Sequence, residues 1–194
     1  MRLFAVLLIA GVMVTMVTHA QEDLLKSSVY HLPDLSSVSE KNLFEGSTSY
    51  FKTYEVDLIK LKPGNTSLRG TIPNNTEELL IVRNGKLRVT IGKTIKVLGP
   101  GSIAFIMPGE KYKILQEGNE QPVFYTLKST SKMADVRDRA RSNGGSMLIN
   151  GDSIETKKTE RGGRKDFFNR PTSKSEKFEM HVTILNEGLP SHAP

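Results

Sequence analysis

Glu78, in the run TIPNNTEELLIVRNG, and Tyr112, in PGEKYKIL, are the central side chains best suited to acid–base or ligand chemistry. Either task needs a partner. A neutral imidazole is the usual strong donor to a divalent metal and the usual general base. No histidine lies between His31 and His181, and the chain has no cysteine. Asn74, Thr76 and Tyr112 are weak ligands and Glu78 cannot stand in for a set of nitrogens, so no tight transition-metal site is expected here. Glu77, Glu78 and Asn75 offer oxygens to calcium, but in no recognised ligand order. Tyr112 has the chemistry of a general acid, and Glu78 would serve as its base only with a raised pKa. Farther on, RGGRKDFF (161 to 168) sets paired glycines between cations, the composition of a backbone anion nest or of a plain connector. The sequons at Asn65 and Asn74 matter only where secreted proteins are glycosylated.

The segments that must position these groups follow a leader. Residues 1 to 20 carry one charge at Arg2, an apolar run shorter than a membrane span, and small Thr18 and Ala20 before a cleavage point. They read as a signal peptide, with a mature chain from about Gln21, and the protein is expected to be secreted or periplasmic with no membrane attachment after cleavage. Without cysteine, neither disulfide nor thiolate chemistry is available. The net charge of +6 is interleaved with carboxylates and poor in aromatic neighbours, so nucleic acid is not an expected partner.

An N-terminal segment (21–43) leads to a β-rich region (44–130) of short strands separated by KPGN, NG, GK, GPG, PGEK and EGNEQP. Even spacing without helical periodicity predicts an antiparallel barrel or sandwich, and Asn84-Gly85 predicts a hairpin between ELLIVR and KLRVTI. Leu80 and Val82 alternate with Leu79 and Ile81, so this strand is expected to be buried on both faces. A helix is expected over 131–145, capped by Ser131, with Asp135 pairing to Arg139 and Gly144-Gly145 closing it. Residues 146–171 read as a connector.

Shifting the sequence by 124 positions lays residues 44–70 without gaps on 168–194. Phe44, Thr48, Ser49, Glu55, Leu61, Gly64 and Ser67 recur as Phe168, Thr172, Ser173, Glu179, Leu185, Gly188 and Ser191. Apolar Val56 and Leu58 meet Met180 and Val182. A gap-free match through a strand and its turn points to duplication, with residues 172–194 the opening strand of an incomplete second repeat.

The run from LKPG through EELLIVRNG to LGPGSIAFIMPGEKYKIL resembles the two motifs of the cupin superfamily. Over roughly residues 44–194 the chain is similar to the N-terminal half of a bicupin of the ureidoglycine aminohydrolase type, with the second cupin truncated. The resemblance implies an all-β fold: a cupin-type antiparallel β-barrel (double-stranded β-helix or jelly roll) with one short helix after it. It implies histidines at positions that here fall on Thr71, Pro73 and Tyr112. With Glu78, these three are the expected lining of a ligand pocket. Manganese, or another divalent metal, is expected only in a complete second cupin, whose ligands would lie beyond Pro194. His181 and His192 match Asp57 and Leu68 and are not motif positions. The expected function is a non-catalytic, metal-less module that binds a small polar ligand or serves as a dimerising barrel. The alternative is the inactive N-terminal fragment of a metal-dependent bicupin enzyme. A homodimer is expected, because a lone half would expose the face that bicupins bury between barrels. The surplus strand FEMHVTIL would then add to an open sheet edge.

Overall fold

The structure is a computed structural model that describes residues 24–32, 39–61 and 67–190; the leader, Gly64 and His192 lie outside them. The β-rich region holds nine strands: β1 (Glu40–Gly46), β2 (Phe51–Lys60), β3 (Ser67–Thr71), β4 (Thr76–Asn84), β5 (Lys86–Ile91), β6 (Thr94–Leu98), β7 (Ile103–Ile106), β8 (Lys111–Glu117) and β9 (Val123–Ser131). A helix, α1 (Arg137–Ser142), and four further strands follow: β10 (Met147–Ile149), β11 (Lys157–Thr159), β12 (Gly162–Arg170) and β13 (Phe178–Leu185). Sheet order is β1-β2-β9-β4-β7-β10 in one layer and β3-β8-β5-β6 in the facing layer, with all strand pairs antiparallel. Leu80, Val82, Leu87, Val89, Ile106, Ile114 and Phe124 fill the space between these layers. This is a jelly-roll barrel, one of the two antiparallel forms that the strand spacing predicts and the one that the resemblance implies.

Both faces of β4 are buried, for two different reasons. Leu80 and Val82 enter the barrel core. Leu79 and Ile81 face outward, where they join Ile103, Phe105, Met107, Phe167, Phe168, Phe178 and Met180 in a second cluster. The Asn84-Gly85 expectation needs correcting. β4 and β5 lie in different sheets and do not pair, so Gly85 (φ +67°) turns a corner between layers. A Cβ there would lie 2.9 Å from the Pro122 Cα, which shows how closely the backbones cross. The genuine two-residue hairpin is Gly92-Lys93, which joins β5 to β6 with Ile91 opposite Thr94.

The C-terminal third also departs from expectation. The helix is confined to residues 137–142, because Ser131 is already engaged as the last residue of β9, opposite Phe51. Asp135 does not pair with Arg139. It accepts from Arg137 Nε at 3.0 Å, while Arg139 Nε donates to the carbonyl oxygen of Thr172 at 2.7 Å. The expected connector is largely strand: β10 extends the six-stranded sheet beside β7, and β11-β12-β13 form a sheet of their own. FEMHVTIL therefore pairs with β12 within its own hairpin and not with an edge of this chain's two barrel sheets. Its Phe178 and Met180 pack on the outward cluster, so this chain's own hairpin covers the outer face of β4 there.

The two sequence stretches that match at a shift of 124 form hairpins with the same register. β1–β2 pairs Phe44 with Val56 and Glu45 with Glu55, and slips register between Asn42 and Phe44. β12–β13 pairs Phe168 with Met180 and Asn169 with Glu179, and slips between Asp166 and Phe168. Each of these positions is its counterpart plus 124. The turns agree as well. Thr48 Oγ1 accepts from Phe51 N at 2.9 Å, and Thr172 Oγ1 accepts from Ser175 N at 3.0 Å. A shared bulge is hard to reach by chance, since a bulge fixes the register on either side of it.

Candidate functional site

One row of side chains crosses the six-stranded sheet on its inner face at the barrel mouth. Registers place Glu55 of β2 opposite Lys128 of β9, and Lys128 opposite Glu78 of β4. One step deeper, Asp57 lies opposite Thr126, and Thr126 opposite the core residue Leu80. Alternation explains the arrangement: Glu55 and Asp57 share the inner face with Ile59, and Lys128 and Thr126 share it with Phe124. Lys128 Nζ donates to Asp57 Oδ2 at 2.9 Å and to Glu55 Oε1 at 3.0 Å. Asn42 Nδ2 donates to the other oxygen of Asp57, also at 2.9 Å.

Glu78 is different. It is only 4% exposed, and its carboxyl has no hydrogen-bond partner among the described residues. Burial raises its pKa to about 7; Asp57 and Glu55 add to the rise and Lys128 opposes it. Lys128 is pulled down by burial, but its bonds to Asp57 and Glu55 win and hold it well above the usual lysine value. Burial raises Asp57 too, and is outweighed by the hydrogen bonds that lower it. Tyr112, half-buried on β8, has its phenol raised by burial and by the nearby Glu78 charge. Its ring lies against Gly70 of β3, where a Cβ would meet the hydroxyl at 2.8 Å. Gly70 thus leaves room for the tyrosine.

Of the four positions expected to line a pocket, the structure brings together Glu78 and Tyr112. Thr71, at the end of β3, and Pro73, in the following turn, are exposed, while the intervening Ile72 enters the core. Glu55, Asp57 and Lys128 were not read as site residues. Their signal was legible in YEVDLIKL and TLKS, where charged residues fall on the face that elsewhere in the same strands is apolar.

A metal at this mouth would need donors that these residues do not provide. Among the described residues no group of three His, Cys, Asp or Glu side chains is placed to hold an ion. Two of the three carboxylates already hold the Lys128 ammonium, and a phenol with a raised pKa is a reluctant phenolate ligand. The residues do not fit the metal site that the motif spacing implies. Their chemistry is that of an internal ion pair beside a carboxyl poised between its two protonation states.

No protein-family model and no curated protein sequence matches the chain. Solved structures do. A protein of Pseudomonas aeruginosa described as glyoxylate-induced is 19% identical with a TM-score of 0.51, over 66% of this chain and 48% of that one. The chain thus spans about half the length of that structure. The cupin domain of Cnp3 from Schizosaccharomyces pombe is 18% identical with a TM-score of 0.41, over 50% of this chain and 72% of that one. A cupin 2 conserved barrel domain protein from Salinispora arenicola is 14% identical with a TM-score of 0.41, over 52% and 89%.

Proposed function

The chain is a cupin-fold protein, and on that premise we propose that its barrel is a metal-independent module that binds a small polar ligand at the mouth. The observation that carries this reading is Glu78, a buried carboxyl without a hydrogen-bond partner among the described residues. A bound hydroxyl or amine would give this largely desolvated carboxyl the direct partner that the chain does not supply. Around it, the Tyr112 hydroxyl donates or accepts, and Lys128, partly exposed between its two carboxylates, supplies positive charge. The ligand class that suits this mixture is a compact polyhydroxylated molecule. The leader-like residues 1–20 support a place of action outside the cytoplasm, which fractionation of cells expressing the full chain would check.

A thermal-shift screen of monosaccharides and short hydroxy acids tests the reading. Compounds that raise Tm in the wild type are expected to lose that effect in Glu78→Gln and Tyr112→Phe. A panel with no stabilising member, or one that acts equally on the variants, would contradict it.

A second reading, that the chain is the N-terminal half of a bicupin, is favoured by the shared bulge and turn of the two hairpins. On this reading β12–β13 opens a second barrel, and metal chemistry belongs to that barrel. Mass and manganese content of the protein isolated from its native cells test it. A product of this length without metal would count against it.

A further inference from the structure

The second hairpin departs from the first at one place, and a cavity lies there. Between the outer face of β4 and β9 and the C-terminal hairpin is a space of about 110 Å3, walled by Phe51, Tyr54, Phe105 and Phe178 and bordered by Ser129 and Ser175. Four of these residues form two repeat pairs: Phe51 with Ser175, and Tyr54 with Phe178. In the first hairpin Phe51 stacks on Tyr54 with ring centroids 5.5 Å apart. In the second, Phe178 has a serine where its stacking neighbour would be, and it meets Phe105 and Phe168 edge-on instead, at 5.7 and 5.2 Å. The missing side chain is a phenyl ring, and the empty space is of that order. A wholly apolar cavity of about 150 Å3 is known to accept benzene, and this smaller space, with hydroxyls on its rim, is matched to a single ring that carries a polar group.

The polar groups around the space narrow the choice of guest. The hydroxyls of Tyr54, Ser129 and Ser175 have no hydrogen-bond partner among the described residues. Glu77, also on the wall, offers no free oxygen to a cation. It accepts from Thr172 Oγ1 at 2.9 Å, from Ser173 N and Oγ at 2.8 Å each, and from Lys174 N at 3.1 Å. The Arg170 guanidinium already sits 5.9 Å from the Phe105 ring centroid. An aromatic cage built for a cation would leave that carboxylate open and that ring face free.

We propose that this cavity binds a neutral, single-ring aromatic compound bearing a hydroxyl group, with its ring in the place of the phenylalanine absent at position 175. The site is separate from the barrel mouth and does not rest on the reading given to Glu78. Phenol is the probe, titrated into the full chain while methyl NMR signals of Leu79 and Leu127 are followed. Saturable shifts at these two residues are expected, unchanged in Glu78→Gln. Ser175→Phe should raise Tm and weaken phenol binding roughly tenfold or more. Leu127→Phe fills the same space from β9 and serves should Ser175→Phe not fold. Linear, unsaturable shifts in the wild type, or undiminished binding in a folded variant with the space filled, would overturn the proposal.

Discussion

The hairpins β1–β2 and β12–β13 share a register, a bulge and a threonine-capped turn, but not an environment. Leu58 and Leu61 of the first are 0% and 2% exposed, whereas their counterparts Val182 and Leu185 are 39% and 43% exposed. The first hairpin continues into a six-stranded sheet through β9, while β13 forms the edge of a three-stranded one. Local sequence is enough to define the hairpin; burial comes from the strands beside it. The polar row tells the same story. In the first hairpin Asn42 faces Asp57 and donates to it, and Asp57 in turn accepts from Lys128 inside the barrel. Their counterparts Asp166 and His181 also face each other, yet Asp166 pairs outward with Lys157 and Arg164, which hold its pKa down at about 2.

The strongest way to break this comparison is at Glu77, which fastens the second turn to the barrel. Glu77→Ala would leave the Thr172 hydroxyl and the Ser173 hydroxyl and amide buried without their carboxylate acceptor, while the Lys174 amide keeps its 3.3 Å bond to Thr172 Oγ1. A loss of about 3–5 kcal/mol is expected, measured by urea denaturation. A loss below about 1 kcal/mol would mean that the hairpin is held by its apolar contacts alone. A finer cut compares equivalent leucines. Leu61→Ala should cost about 2–4 kcal/mol, since it opens a cavity in the barrel core. Leu185→Ala should cost less than about 0.5 kcal/mol. Equal costs would show that the second hairpin is buried in solution by something else.

Much of this was legible beforehand, for identifiable reasons. Alternation along β4 announced a strand covered on both faces, and the 124-residue shift announced the strand FEMHVTIL but not its partner β12. What covered the outer face was not legible, because RGGRKDFFNR has too little apolar alternation to read as a strand until β13 lies beside it. Asn84-Gly85 misled because a left-handed glycine suits a sheet-to-sheet corner as well as a hairpin. The helix was overextended because Ser131, a plausible cap, is claimed by pairing with Phe51. At the site, the absence of histidine was plain and the partners of Glu78 were not. Glu55 and Asp57 meet Lys128 only across strands more than 65 residues apart in sequence.

The Glu78 titration carries a sign. Its pKa is raised on folding from 4.5 to about 7, so the folded state holds a proton that the unfolded chain has released between those values. Its contribution is intact below about pH 4.5 and is lost as pH rises to about 7, amounting to about 3 kcal/mol. Glu78→Gln should therefore flatten stability across this window and exceed the wild type above it. The most direct measurement is the side-chain carboxyl shift of Glu78 by 13C NMR, followed from pH 4 to 9 with and without manganese. A midpoint near 7 that manganese leaves in place is the expected result. A midpoint near 4.5, or stoichiometric paramagnetic broadening of that signal, would contradict a buried, unpartnered carboxyl in a metal-independent barrel.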